Sequence, residues 1–140
     1  MTHFFLPTES ATITAAEKIA HQIKAPAVIF LHGELGAGKT TFVRGLLRAW
    51  GYAGLVKSPS YTLVESYSLN DIMVHHFDLY RLTSPDELYE IGFNDYLTPN
   101  AILFIEWPEK GGNLLPKAQL ICQFEIKGNG RELSIAHAHS

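Results

Sequence analysis

A glycine-rich segment directly after an apolar run is the feature that most constrains how this chain can fold. Residues 33–40 read Gly-Glu-Leu-Gly-Ala-Gly-Lys-Thr, and residues 27–31 read Ala-Val-Ile-Phe-Leu. This order predicts a buried strand, a tight turn and a helix that begins at Lys39. Backbone N–H groups of such a loop point inward and bind phosphate. The segment therefore predicts a P-loop in which Lys39 faces the β- and γ-phosphates of a nucleotide and the Thr40 hydroxyl binds Mg²⁺.

The composition is typical of one ordinary folded domain. The chain has 140 residues, 46% of them hydrophobic, so we expect a single domain that spans 1–140. The net charge of −3 disfavours broad electrostatic binding of nucleic acid, and no DNA partner is expected. Cys122 is the only cysteine, and no apolar run approaches the roughly 20 residues that cross a membrane. We therefore expect a cytoplasmic protein with no membrane segment.

Helix and strand patterns alternate along the chain. Apolar spacing and capping residues predict three helices, at about 12–24, 39–50 and 84–92. Apolar runs and turn residues predict strands at about 27–31, 62–69, 72–78, 101–105, 119–126 and 131–138. Short turns join the second strand to the third and the fifth to the sixth, so both pairs are antiparallel hairpins. The predicted fold is a small α/β domain like that of P-loop NTPases, with a mixed sheet flanked by helices.

Two acidic residues end predicted strands and are candidates to hold the metal. Glu106 follows a continuous apolar strand, and Asp78 ends the second strand of the first hairpin. The carboxyl ends of parallel strands lie at the edge of the sheet where ligands bind. We expect Glu106 to complete, directly or through water, the Mg²⁺ shell begun by Thr40. For Asp78 the alternatives are orienting an attacking water, binding the metal, or a structural role as a cap or ion-pair partner of Arg81.

The remaining charged residues give weaker indications. Phosphoryl transfer needs positive charge near the transition state, and the candidates are Arg44, Arg48, Arg81 and Arg131. The spacing singles out none of them, and the first two are expected to face solvent or a partner. The adjacent His75 and His76 would point to opposite faces of a strand, so they do not predict a shared metal site.

The motifs that are missing narrow the class of protein. The chain has neither the Asn-Lys-x-Asp nor the Asp-x-x-Gly motif, which argues against a Ras-like GTPase. Small-molecule kinases usually carry an arginine-rich lid, whereas Arg131 is the only arginine after Glu106. The motifs favour a minimal ATPase whose hydrolysis serves a partner. A small-molecule kinase and a nucleotide-dependent binding module remain as alternatives.

Four segments taken together resemble the TsaE (YjeE-like) family, ATPases of bacterial tRNA threonylcarbamoyladenosine biosynthesis. They are Gly-Glu-Leu-Gly-Ala-Gly-Lys-Thr-Thr at 33–41, Ser-Pro-Ser-Tyr-Thr-Leu-Val at 58–64, His-Phe-Asp-Leu-Tyr-Arg at 76–81 and Ile-Glu-Trp-Pro-Glu at 105–109. Any P-loop protein could share the first segment, but the combination is highly specific. One mild departure is Ser60-Tyr61, where the family often has Thr-Phe or Thr-Tyr; Ser60 still supplies a hydroxyl.

The resemblance implies a function as well as a fold. It implies that the chain binds ATP, ADP and Mg²⁺ and hydrolyses ATP weakly when alone. It further implies that the TsaB–TsaD heterodimer raises this activity. That heterodimer carries out the carbamoyl transfer whose product is the N6-threonylcarbamoyl group on adenosine 37 of tRNAs reading codons that begin with A. In that picture the ATP cycle resets or remodels the TsaB–TsaD complex, and the chain meets tRNA only through that complex.

The resemblance also implies roles for individual residues. It places the phosphates on Gly36, Ala37, Gly38, Lys39, Thr40 and Thr41. It places Mg²⁺ on Thr40 and Glu106, and it gives Asp78 a Walker-B-like or switch role, so that Lys39, Asp78 and Glu106 form the catalytic set. Glu9 and Arg131 match positions that contact the nucleotide outside the P-loop. Segment 58–64 matches a switch, and Trp107 either couples to the nucleotide state or simply packs.

Overall fold

The computed structural model describes residues 2–34 and 36–137. Leu35 of the predicted P-loop and Ala138 at the end of the last predicted strand lie outside these residues. The strands of the described part are β1 (Thr2–Leu6), β2 (Ala27–His32), β3 (Val64–Leu69), β4 (Ile72–Asp78), β5 (Ala101–Glu106), β6 (Leu120–Lys127) and β7 (Gly130–His137). Its α-helices are α1 (Glu9–Ala20), α2 (Lys39–Ala49) and α3 (Glu87–Glu90), with short 3₁₀ turns at Phe93–Tyr96, Pro108–Lys110 and Gly112–Leu114. None of the helices in these ranges combines the length and the hydrophobicity that a membrane crossing needs.

The strands form one mixed sheet in the order β1-β7-β6-β2-β5-β4-β3. The four central strands, β6, β2, β5 and β4, run parallel to one another. Antiparallel pairs extend the sheet at both edges, β3 on β4 at one side and β7 and then β1 beyond β6 at the other. This arrangement confirms the predicted mixed sheet with hairpins. It also brings the carboxyl ends of β2, β4 and β5 to one edge, where ligands bind in sheets of this kind.

Helices cover one face of the sheet and loops with short helices cover the other. On the first face α1 packs on α2, so closely that a Cβ added to Gly45 would lie 2.7 Å from the Cβ of Ala16. On the second face Phe77 from the sheet packs with Leu88 of α3 and with Phe93. Because both faces are covered, β5 is buried along its whole length, which explains its uninterrupted apolar sequence.

Two helices begin at other residues than the spacing predicted. α1 begins at Glu9, about three residues early, because the Thr8 hydroxyl caps it by accepting a hydrogen bond from the N–H of Ala11 at 3.1 Å. α3 begins at Glu87, with Asp86 as its N-cap, rather than at Pro85 with Ser84 as the N-cap, as the capping pattern Ser84-Pro85-Asp86-Glu87 predicted. The Glu87 carboxylate accepts hydrogen bonds from the backbone N–H and the hydroxyl of Thr83, at 2.9 and 3.0 Å, whereas the predicted capping box would direct it to the N–H of Ser84.

Two strand predictions are also corrected. β3 begins at Val64 and not at residue 62, because Leu63 adopts a left-handed backbone (φ 73°) and its N–H donates to the carbonyl of Pro59 in a turn. The N-terminal strand β1 was not predicted at all. It forms by pairing with β7, in a register that sets Phe4 opposite Leu133.

Candidate functional site

The predicted P-loop connects β2 to α2 as a strand, a turn and a helix. Gly38 is the N-cap of α2 and has a φ of 104°, a left-handed conformation that side chains disfavour. Gly33, at the end of β2, could not carry a side chain, because a Cβ there would lie 2.8 Å from the carbonyl oxygen of Phe124. α2 begins at Lys39, as predicted, and its first N–H groups face the turn. Ala37 is buried behind the loop, and Thr40 and Thr41 follow in the first turn of the helix.

The Lys39 side chain is buried beside the acid at the end of β5. Its ammonium lies 3.1 Å from Oε1 of Glu106 and also donates a hydrogen bond to the carbonyl of Gly33. The two side chains are only 6% and 7% exposed. Two residues predicted to serve a phosphate and a metal therefore lie together, and in this structure the Glu106 carboxylate is the counter-charge of the P-loop lysine.

The second oxygen of Glu106 contacts a histidine. Oε2 lies 2.6 Å from Nε2 of His76, which is fully buried. Burial raises the pKa of Glu106, but the hydrogen bond and charge of His76 and the charge and hydrogen bond of Lys39 outweigh it, so this pKa is lower than the usual value. Glu106 is thus an ionised carboxylate at neutral pH, with each oxygen directed at a nitrogen donor.

His76 is a member of the site that the sequence did not indicate. The prediction that the two adjacent histidines face opposite ways is confirmed, since His75 contacts the hydroxyl of Ser66 at 2.7 Å and the ring of Tyr96 instead. What brings His76 to Glu106 is the parallel pairing of β4 with β5, which sets Asp78 opposite Glu106. A pairing between strands that are distant in sequence cannot be seen from either strand alone.

Asp78 lies at the same edge of the sheet but makes different contacts. Its Oδ1 accepts a hydrogen bond from the N–H of Tyr80 at 3.0 Å, which is the capping role among the alternatives considered. Its own N–H donates to the carbonyl of Leu63 at 2.9 Å and so connects β4 to segment 58–64. The Arg81 guanidinium lies 4.7 Å from the centre of the Tyr61 ring rather than on this carboxylate.

A cavity of about 190 Å³ opens beside the P-loop. It is lined by Leu6, Pro7, Thr8, Glu9, Thr12, Gly36, Gly38, Thr41, Asn129 and Arg131. Nε and Nη2 of Arg131 each lie 3.2 Å from the carbonyl oxygen of Gly36, to which they donate. The fold therefore brings Glu9 and Arg131, which are far apart in sequence, to the same cavity beside the P-loop.

The other candidate arginines lie elsewhere. Nη2 of Arg44 lies 2.5 Å from Oε1 of Glu9, so the helix arginine pairs with an acid that lines the cavity. Nη1 of Arg48 donates to the carbonyls of Tyr52 and Gly54, at 2.9 and 2.8 Å, and fixes the chain after α2. Within the part of the chain that the structure describes, Arg131 is the one of the four candidates that contacts the P-loop.

Trp107 lies directly against the buried pair. Its ring centre is 5.6 Å from the Lys39 ammonium and 4.9 Å from the centre of the Tyr80 ring. Its backbone is left-handed (φ 55°), a conformation that non-glycine residues rarely adopt. The Trp107 ring thus links the lysine of the P-loop to the segment that follows Asp78.

The fold and this site together define a class of protein. A P-loop between a central parallel strand and a helix, with an acid at the end of the neighbouring parallel strand, is the arrangement of a P-loop NTPase-like protein.

The family follows from comparisons with known proteins. A family model described as "Threonylcarbamoyl adenosine biosynthesis protein TsaE" matches residues 6–133. A Haemophilus influenzae protein named tRNA threonylcarbamoyladenosine biosynthesis protein TsaE is 41% identical over 137 residues, covering 94% of this chain and 86% of its own length. A Bacillus subtilis protein of the same name is 33% identical over 124 residues, 89% of this chain and 75% of its own. The chain therefore belongs to the TsaE family, as the motifs indicated.

A solved structure agrees with the fold. The crystal structure of Bacillus subtilis YdiB superposes with a TM-score of 0.81, covering 99% of this chain and 86% of its own at 24% identity. At that identity the likeness supports the predicted small α/β fold and nothing finer.

Proposed function

We propose that this chain binds ATP or ADP with Mg²⁺ at the P-loop and hydrolyses ATP. The observation that carries the proposal is the buried Lys39 ammonium at the start of α2, 3.1 Å from the ionised Glu106 carboxylate at the end of β5. A buried ammonium group at the N-terminus of a helix destabilises the folded protein unless an anion lies beside it. A carboxylate at the next strand end is where P-loop proteins hold their metal.

The residues of the site can bind both the phosphates of the nucleotide and Mg²⁺. The glycine turn and the first N–H groups of α2 suit phosphate oxygens. The Thr40 hydroxyl and the Glu106 carboxylate are hard oxygen ligands, which Mg²⁺ prefers. In this structure Oε1 of Glu106 is on Lys39, so binding a metal there requires that oxygen to leave the ammonium, which frees Lys39 for phosphate. When bound, Mg²⁺ would neutralise negative charge on the phosphate oxygens.

The remaining residues of the site take supporting roles in the proposal. Gly36, Ala37, Gly38 and Thr41 would orient the phosphates through their backbone, with Lys39. Glu9 and Arg131 line the cavity next to the loop, which suits the nucleoside part of the ligand.

We give Asp78 a Walker-B-like or switch role. Its N–H holds the carbonyl of Leu63, so a movement of segment 58–64 would be transmitted to the end of β4. Trp107 would respond to the nucleotide state through its contact with Lys39.

Family membership supports a role in tRNA modification. The relatives carry the name tRNA threonylcarbamoyladenosine biosynthesis protein, and we propose that this chain serves the same pathway. In this proposal the TsaB–TsaD complex raises ATP hydrolysis and itself transfers the carbamoyl group to adenosine 37. The chain would meet that complex in the cytoplasm and tRNA only through it.

Phosphate release from ATP tests the proposal. The chain would be assayed alone, with TsaB and TsaD, and with both plus tRNA, and Lys39→Ala would serve as the inactive control. We expect slow release alone and faster release with the partners. Unchanged release on adding the partners would contradict the accessory role. Transfer of the γ-phosphate to a metabolite would instead indicate a kinase, and tight binding without turnover in every mixture would indicate a binding module.

A further inference from the structure

A fully buried imidazole lies beside Glu106, the carboxylate proposed to bind the metal. His76 is 0% exposed in β4, and its Nε2 is 2.6 Å from Oε2 of Glu106. The ring stands edge-on to Phe104, with 6.5 Å between ring centres. Within the described residues its Nδ1 has no hydrogen-bond partner.

Burying Nδ1 without a hydrogen-bond partner lowers the stability of the folded protein, and an apolar residue at this position would avoid that loss. A buried polar atom without a hydrogen-bond partner destabilises the folded protein, because it has lost its hydrogen bonds to water. An apolar side chain beside Phe104 would have no such nitrogen to leave without a partner. A packing role therefore does not explain a histidine here, whereas the hydrogen bond to Glu106 does.

The direction of the hydrogen bond follows from its acceptor. The ionised Glu106 carboxylate can only accept, so Nε2 of His76 carries the proton and donates it.

The hydrogen bond fixes how the carboxylate is presented. Oε2 accepts a hydrogen bond from His76 and Oε1 lies against the Lys39 ammonium, so the two contacts fix the orientation of the carboxylate. Without His76, the carboxylate could rotate and place both oxygens on the Lys39 ammonium. That would strengthen the contact that has to open before a metal can bind.

We propose that His76 is a positioning residue that holds one oxygen of Glu106 so that the other is presented to the cation at the P-loop. The part of this inference that concerns Mg²⁺ rests on the proposed function. The hydrogen bond and the proton position do not.

Two variants separate positioning from packing. His76→Leu removes the donor and keeps an apolar side chain of similar bulk, while His76→Gln keeps an N–H donor at about the distance of Nε2. Binding of a fluorescent ATP analogue would be titrated with Mg²⁺, and binding in EDTA would report whether each variant still folds and takes nucleotide.

We expect His76→Leu to raise the Mg²⁺ concentration for half-maximal effect by about 10–100-fold, the usual loss when a partner of a metal ligand is removed. Binding in EDTA should change far less, and His76→Gln should recover most of the Mg²⁺ response. Unchanged Mg²⁺ dependence in His76→Leu, or equal loss in both variants, would overturn the inference.

Nitrogen-15 spectra of the nucleotide-free wild-type protein provide a readout that needs no variant of His76. We expect a proton on Nε2 and an Nε2 signal that Glu106→Gln perturbs, because the acceptor of this hydrogen bond is replaced. An Nε2 without a proton, or an Nε2 signal that Glu106→Gln leaves unchanged, would overturn the inference. If the wild-type chain bound no ATP analogue, the proposed function would fail while these spectra still tested His76.

Discussion

Replacing Lys39 by methionine should destabilise the folded protein by about 3 kcal/mol even when no nucleotide is present. Lys39 and Glu106 form a buried pair at 3.1 Å, and removing one partner of such a pair typically costs about 3–5 kcal/mol because the other charge stays buried. Methionine keeps the unbranched apolar stem, so little of the loss comes from packing. The hydrogen bond from His76 remains on Glu106, which places the estimate at about 3 kcal/mol, the lower end of that range.

Urea unfolding at neutral pH measures this effect as a double-mutant cycle. The proteins are the wild type, Lys39→Met, Glu106→Gln and the double variant, all without nucleotide. Because the double variant removes both charges together, it should lose less free energy of unfolding than the sum of the single losses, by about 0.5–3 kcal/mol. A Lys39→Met protein within about 0.5 kcal/mol of wild type would behave like a surface substitution and would refute the buried pair. Strict additivity would show that the two side chains do not interact.

Three further predictions concern Glu106 and Cys122. Glu106→Ala should weaken Mg²⁺-dependent ATP hydrolysis more than nucleotide binding in EDTA, and equal losses would point to a structural role. Since folding lowers the pKa of Glu106, its charged form adds stability above the unfolded value of 4.5, and this is lost as the pH falls through the lower folded value. The stability of the wild type relative to Glu106→Gln, from urea unfolding, should therefore decrease below about pH 4.5; a constant difference would contradict this. Burial raises the pKa of the Cys122 thiol to about 12, so iodoacetamide at pH 8 should label the native protein far more slowly than the unfolded one, and similar rates would show that the thiol is accessible.

The P-loop could be predicted because everything that defines it is local. An apolar strand, glycines at fixed spacing and a helix beginning at Lys39 lie within residues 27–49, and the structure has the strand and the helix where the pattern placed them. The position of Glu106 could likewise be predicted from neighbouring residues, because a continuous apolar strand ends at it.

The features that sequence reasoning missed depend on contacts between distant segments. β1 spans only five residues, and the strand it pairs with, β7, lies at the other end of the chain. His76 reaches Glu106 only because β4 lies parallel to β5. The contact of Arg131 with the P-loop similarly follows from β6 lying beside β2, which brings the last hairpin over Gly36. In each case the residue can be seen in the sequence, but the residue it contacts is known only once the pairing of the strands is known.

Calorimetric titration of ATP with Mg²⁺ into the purified chain tests the central claim most directly. The account predicts saturable binding at one site in the wild type and its loss in Lys39→Ala, because the ammonium at the P-loop is removed. A wild-type chain that binds no ATP, or a Lys39→Ala variant that binds it with unchanged affinity, would contradict the account.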